Sequence, residues 1–278
     1  MKDLKELLSR EDANIFLPEI INKVIIEEMK ANLVGRNLVQ TINLSNGSSI
    51  KFPKAHSTAV AYVVPEAGEI PVIQGETYSE VIVTPYKVGI RAKITKELIE
   101  DGSIDVMKRN IHEATHAIIQ KEDTDIFNAL RATTRTQSSV GAWSTASNIL
   151  KDVSNVMELL EVNEYRPQVF VMHPSLAASI RSADLFDKTK HYSGDAVQSR
   201  GIVGSIFTIP VYITTVLPAT ELLCIDTRHA GVLVVRRPLT VENFVDISRD
   251  MEGVAMTTRY APALLVEKAC AKITGISR

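Results

Sequence analysis

His112-Glu113-Ala114-Thr115-His116 is the segment of this 278-residue chain whose residue types and spacing could do chemistry. On a helix, positions i and i+4 share a face, so both imidazoles could hold one Zn²⁺ while Glu113 deprotonates a bound water. A tetrahedral site needs a third protein ligand. The run that follows, Ala117-Ile118-Ile119-Gln120-Lys121-Glu122, has no glycine turn leading to another His, and no Glu stands on a nearby downstream helix at the usual spacing. Asp123 falls on the same face but two turns further along a straight helix, beyond tetrahedral reach. A zinc metallopeptidase built on His112, Glu113 and His116 is therefore the alternative, and the bland expectation is polar residues on the wet side of a long helix. Other chemistry is thinner. There is no Gly-x-Ser-x-Gly elbow, phosphate loop or dinucleotide fingerprint. Cys224 and Cys270 lie in apolar, strand-like runs that suit reduced core thiols rather than nucleophiles. His173 and His191 have no assignable partner, and His56 and His229 read as surface residues. On chemistry alone the chain is no enzyme and needs no metal or cofactor.

The element that carries the motif follows Asp101-Gly102-Ser103 and runs to about Thr133. Met107, Ile111, Ala114 and Ile118 recur at helical spacing, and the stripe resumes at Ile126, Phe127 and Leu130. Such a helix is roughly 40 Å long at ~1.5 Å per residue, the dimension of a scaffold beam. Before it, Tyr86 to Ile94 alternates apolar and polar positions as a half-buried strand. After it, past a polar stretch containing Trp143, short elements alternate. Ile149, Val153, Val156 and Leu160 mark a helix, Val169-Phe170-Val171-Met172 a strand, Pro174 the first turn of a helix, and Leu222 to Ile225 and Gly231 to Val235 two strands. Val241 to Ile273 reads as three further β-runs, with turns near Asp250 and at Pro262.

At the other end, Ile20, Ile21, Val24, Ile25, Met29 and Leu33 form an amphipathic stripe that Gly35 closes as a C-cap. Asn46-Gly47 then predicts a hairpin joining the run 38–44 to Ser49–Phe52. Prolines at 53, 65, 71 and 85 punctuate a long extended segment. Between Lys54 and Lys87 it holds Glu66, Glu69, Glu76 and Glu80 and no Lys or Arg, which makes it an acidic arm.

Composition sets the outer limits. Thirty-one Lys plus Arg against thirty-three Asp plus Glu give a net charge of −2, with no basic excess for reading a nucleic acid. The apolar runs fall far short of the ~20 residues that a membrane-spanning helix needs. The opening Met1-Lys2-Asp3-Leu4-Lys5-Glu6 has no apolar signal region. Aromatic residues make up only 5%, which suits thin elements better than one thick globule.

The order of amphipathic arm, extended β-loop, strand, long helix, compact α/β block and returning strands resembles the Hong Kong 97-type (HK97-like) major capsid proteins of tailed bacteriophages and related viruses. Four stretches carry the resemblance: Val64-Pro65-Glu66 through Ile82-Val83-Thr84-Pro85-Tyr86-Lys87-Val88; Ile94-Thr95-Lys96-Glu97-Leu98-Ile99-Glu100-Asp101, leading into the helix with Ala117 to Asp123; Val171-Met172-His173-Pro174-Ser175-Leu176; and Gly204-Ser205-Ile206-Phe207-Thr208-Ile209-Pro210-Val211, closing at Leu217-Pro218.

The resemblance implies an α+β fold with an N-terminal arm over 1–52 and an extended loop over 53–92. A peripheral domain with a spine helix would take 93–144, an axial α/β domain 145–237, and strands returning to the peripheral domain 238–278. It also implies a virion shell of hexamers and pentamers, assembled in the host cytoplasm around double-stranded DNA held without sequence preference. Portal, scaffolding and decoration proteins would be further partners, and no membrane is involved. Scaffolding is expected as a separate protein, since the chain begins only a few residues before its arm. Some relatives cross-link a loop Lys to a neighbour's Asn. Here Lys54 and Lys87 only bracket the loop, so no such bond is expected. The loop's Glu66, Glu69, Glu76 and Glu80 are expected to dock on a neighbouring copy, with Lys108, Arg109, Arg249 and Arg259 as candidate partners. An encapsulin-type nanocompartment shares this fold and is the second function to weigh.

Overall fold

Val169–Met172 and Leu222–Ile225 are apolar and buried at every position, the pattern of strands covered on both faces. They are the central strands of a six-stranded sheet in the computed structural model, which describes residues 34–55, 64, 78–95, 104–182 and 202–277. In chain order the strands are β1 Gln40–Asn43, β2 Ile50–Ala55, β3 Tyr78–Val83, β4 Tyr86–Thr95, β5 Thr136–Ser138, β6 Val169–Met172, β7 Ile202–Ile206, β8 Ile209–Ile213, β9 Leu222–Ile225, β10 Gly231–Asp246, β11 Met251–Leu264 and β12 Cys270–Thr274. Among the described residues the α-helices are α1 Ile104–Arg131, α2 Ala146–Glu161 and α3 Pro174–Ser182. The six-stranded sheet runs β5-β12-β9-β6-β8-β7, a four-stranded sheet runs β1-β10-β11-β4, and β2 pairs with β3 as a separate ribbon.

Side-chain parity assigns the layers. Phe170, Met172, Leu222, Cys224, Ala271 and Ile273 point to one face of the large sheet and pack on the apolar stripes of α2 and α3. Val169, Val171, Leu223, Ile225 and Cys270 point to the other, where Ile126, Phe127 and Leu130 from the end of α1 meet them. Earlier on the same helix, Ile111, Ala114, Ile118 and Ile119 pack on Leu239, Val241, Val254 and Met256 of the four-stranded sheet. One helix thus spans both sheets. The ribbon covers Val232, Val234 and Ala261 with Val83, Val81 and Phe52, on the face of the small sheet turned away from α1.

Four expectations change in detail. The chain bends at Asn46-Gly47-Ser48, but β1 and β2 do not form a hairpin. β1 runs parallel to β10 from Gln40 opposite Val232 to Asn43 opposite Val235, while β2 pairs with β3. Leu44 extends the first pairing by donating to the Val235 carbonyl at 2.8 Å, so long-range burial overrides the local turn. Gly35 opens a 3-10 turn, Gly35–Asn37, instead of capping a helix in a left-handed conformation. A Cβ there would sit 2.8 Å from Asp123 Oδ1, so the position demands a missing side chain rather than a special φ.

The boundary expected at 237/238 falls inside β10, and β12 joins β9 in the six-stranded sheet because its Cys270, Ala271 and Ile273 are buried there. Finally, β11 continues through Pro262 without a turn. β4 begins at Tyr86 opposite Tyr260, so Pro262 lies beyond the last residue of β11 that pairs with β4, where proline is tolerated. The amphipathic stripe of residues 20–33 and the loop acids Glu66, Glu69 and Glu76 lie outside the described residues.

Candidate functional site

The helix periodicity that buries Ala114, Thr115, Ile118 and Ile119 leaves His112, Glu113 and His116 on the exposed side of α1. Glu113 accepts a hydrogen bond from Arg109 Nε at 3.0 Å, an i,i+4 pair with both side chains well exposed. Asp123, the remote acid of the same face, is turned inward with one oxygen toward each of two backbone donors, Gly35 N–H at 2.9 Å and Val34 N–H at 3.3 Å. Among the described residues, no group of three or more His, Cys, Asp or Glu side chains is arranged to hold a metal ion.

The acids of the next helical turn do structural work instead. Glu122 is fully buried and takes a two-pronged ion pair from Arg36, through Nε to Oε1 and Nη2 to Oε2. Asp125 Oδ2 accepts from the Tyr86 and Tyr260 hydroxyls at 2.8 and 3.0 Å, and its Oδ1 from Lys121 at 2.7 Å. Three acids within four residues therefore fasten the end of the N-terminal segment, the start of β4 and the middle of β11 to one helix. Burial pushes the Asp123 carboxyl up to about 6 against the two N–H groups that lower it; both tyrosine hydroxyls are raised by burial and by the neighbouring Asp125 carboxylate that accepts from them. The two cysteines are free and buried, with the Cys270 thiol pushed up to about 12 by desolvation.

The residues expected to join two copies are distributed as follows. Glu80 lies exposed on the ribbon and binds Lys51 of its own chain at 2.6 Å. Arg109 is held by Glu113. Lys108 belongs to the first turns of α1, whose side chains are outside the description. Arg249 is exposed in the β10–β11 turn, beside the 87% exposed Ile247. Arg259 stands on β11, directly opposite Lys87 on β4 and Arg237 on β10.

That last alignment went unnoticed in the sequence. Three cations lie side by side across three strands on the face turned away from α1, and Lys87, Arg91 and Lys93 continue the basic surface along the exposed positions of β4. Like charges in register repel and cost stability unless something neutralises them. Arg237 donates through Nη2 to Thr257 Oγ1, but among the described residues its Nε is buried without a hydrogen-bond partner and Arg259 makes only a long contact to the Pro85 carbonyl at 3.4 Å. The signal was present as Lys87, Arg237 and Arg259, yet only the strand register could align residues so far apart in the chain.

The model of the phage capsid family matches residues 13–275 of this chain. The chain belongs to the phage capsid family. This capsid protein is a structural shell component, and its fold is that of the HK97-like capsids. A protein of Mycobacterium phage Cain superposes with a TM-score of 0.67 at 14% identity, covering 87% of this chain and 90% of that one. A virus-like particle from Pyrococcus furiosus superposes at 0.66 and 10% identity, over 93% of this chain and 100% of its own. The capsid of a native GTA particle matches at 0.65 and 13% identity, over 87% and 89%. At these identities the likeness is one of fold. No curated protein matches the chain.

Proposed function

We propose that this chain is the major capsid subunit of a tailed-phage type virion. Its copies self-assemble in the host cytoplasm into hexamers and pentamers of an icosahedral shell enclosing double-stranded DNA, with portal, scaffolding and decoration proteins as separate partners. The observation that carries this reading is the family match over 13–275, together with shell proteins of the same fold that are covered almost end to end. The layout supports it, because one helix braced between two sheets and a ribbon carrying a long acidic loop leave much surface that a single copy cannot bury. Within the shell, the basic face formed by Lys87, Arg91, Lys93, Arg237 and Arg259 is the docking surface for Glu66, Glu69 and Glu76 of a neighbouring copy. This reassigns most of the basic partners first expected and retains Arg259.

Negative-stain microscopy of the expressed protein tests the reading. Closed particles of a common size are expected, and monomers or irregular aggregates that persist when the chain is co-expressed with the scaffolding protein of its own gene cluster would refute it. The fit to the Pyrococcus furiosus particle favours an encapsulin-type nanocompartment as the second reading. Particles purified from the native source distinguish the two: nuclease-protected double-stranded DNA supports the virion, and a protein cargo the nanocompartment.

A further inference from the structure

β7 and β8 pair with Ile206 opposite Ile209, which leaves a two-residue loop of Phe207 and Thr208. Both residues lie in the left-handed region, with φ of 50° and 69°. Positive φ at both loop positions defines a type I′ turn, for which Asn-Gly is the favoured pair because neither residue clashes there. A bulky aromatic followed by a β-branched Thr is the opposite choice. The flanking Ile206 and Ile209 are buried at 4% and 8% exposure, so the hairpin is anchored by its feet while the Phe207 ring stays 50% exposed. The isolated chain thus bears both an unfavourable backbone and a solvated aromatic ring where a polar turn would serve its folding better.

The surroundings specify the kind of partner. Among the described residues, β7 is the outermost strand of the six-stranded sheet. Natural edge strands are usually guarded by charges, above all lysines, that discourage another chain from settling on them. From Gly201 to Thr220 there is no Asp, Glu, Lys or Arg. Such a surface offers nothing to a phosphate backbone, which is recognised by cations. It suits an apolar protein surface, and aromatic anchors of this kind dominate the energetics of protein interfaces.

We propose that the Phe207–Thr208 turn and the uncharged β7 edge form an adhesive knob that grips a second copy of this chain. The inference rests on the shell function proposed above, which supplies neighbouring copies at every subunit. The knob holds its strained shape before contact, so docking does not have to order a loop.

The test exploits the conflict between folding and assembly. The double variant Phe207→Asn with Thr208→Gly installs the preferred turn, so the melting temperature of the unassembled subunit should rise by a few degrees. The protein concentration needed for particles should rise at least tenfold. A variant that assembles at the wild-type concentration overturns the knob while leaving the shell function intact, whereas wild-type protein that forms no particle sinks both. Separately, a benzophenone side chain placed at position 207 should, on irradiation of particles, give a covalent dimer of the chain. Cross-linking confined to the same copy, for example to residues 183–201, would overturn the proposal.

Discussion

Single side chains decide how the pieces of this subunit are held. Asp152 is 1% exposed and accepts three hydrogen bonds, from Ser139 Oγ at 2.6 Å, Val140 N–H at 2.8 Å and Trp143 Nε1 at 2.7 Å. This explains how a tryptophan in an otherwise polar stretch comes to be buried: the indole N–H has a charged acceptor waiting inside. Asp152→Ala leaves these donors unpaired and should destabilise the subunit by about 2–4 kcal/mol in urea titrations; a loss below ~1 kcal/mol would mean that water replaces the carboxylate. Asp123 makes a prediction about pH. Its carboxyl is pushed from the ordinary 3.8 up to about 6 mainly by burial, so the folded subunit holds its proton more tightly than the unfolded chain does. The associated stability is fully present below about 3.8 and is lost as pH rises through about 6. Denaturation midpoints between pH 4 and 7 should fall more steeply for the wild type than for Asp123→Asn, and parallel curves would contradict this. Neither anchoring role was legible in the sequence, because a buried acid and a solvated one are spelled alike.

At the scale of elements, the periodic signals were the most legible. The stripe at Met107, Ile111, Ala114 and Ile118 foretold α1, and the buried faces of α2 and β6 fell where the apolar positions put them. The exposed side of α1 followed as well, so Glu113→Gln should cost only the few tenths of a kcal/mol of one exposed i,i+4 pair. Calorimetry showing a loss above ~1 kcal/mol would reveal a larger role. Strand pairing was not legible in the same way, since a local turn signal at Asn46-Gly47 competes with partners almost two hundred residues away. Gly253 marks how close two paired strands come: a Cβ there would lie 2.1 Å from the Ala92 carbonyl oxygen and 2.8 Å from Lys93 Cα. Gly253→Ala must push β4 away from β11, and a loss of about 3 kcal/mol, the upper end of overpacking, is expected in thermal melts.

At the scale of the whole molecule, the row of like charges that is unfavourable within one subunit is the surface that the proposed docking of the loop acids would use between subunits. Arg259→Gln relieves the repulsion among Lys87, Arg259 and Arg237, so the isolated subunit should keep or slightly gain stability while its assembly weakens and becomes less sensitive to salt. Light scattering across an ionic-strength series checks both parts, and a variant with the wild-type salt response would remove this face from the assembly surface. A reciprocal mixture adds a sharper check. Subunits with the loop acids reversed to Lys and subunits with the basic face reversed to Glu should each fail alone and assemble together, a rescue that contacts within one copy could not produce.

The sequence by itself determined the three described helices, most of the strand segments and, through four motifs in series, the resemblance to the family. These are properties of local periodicity and of patterns that stay contiguous along the chain. It also determined that the His-Glu-x-x-His segment lacked a nearby third ligand. Only the tertiary structure decided which strands pair, that Glu122, Asp123 and Asp125 fasten three separate segments to one helix, and that Lys87, Arg237 and Arg259 stand in one row. The reason is the same in each case: register and burial bring together residues far apart in the chain, and the energy of a charge or a polar group depends on the neighbours it meets there.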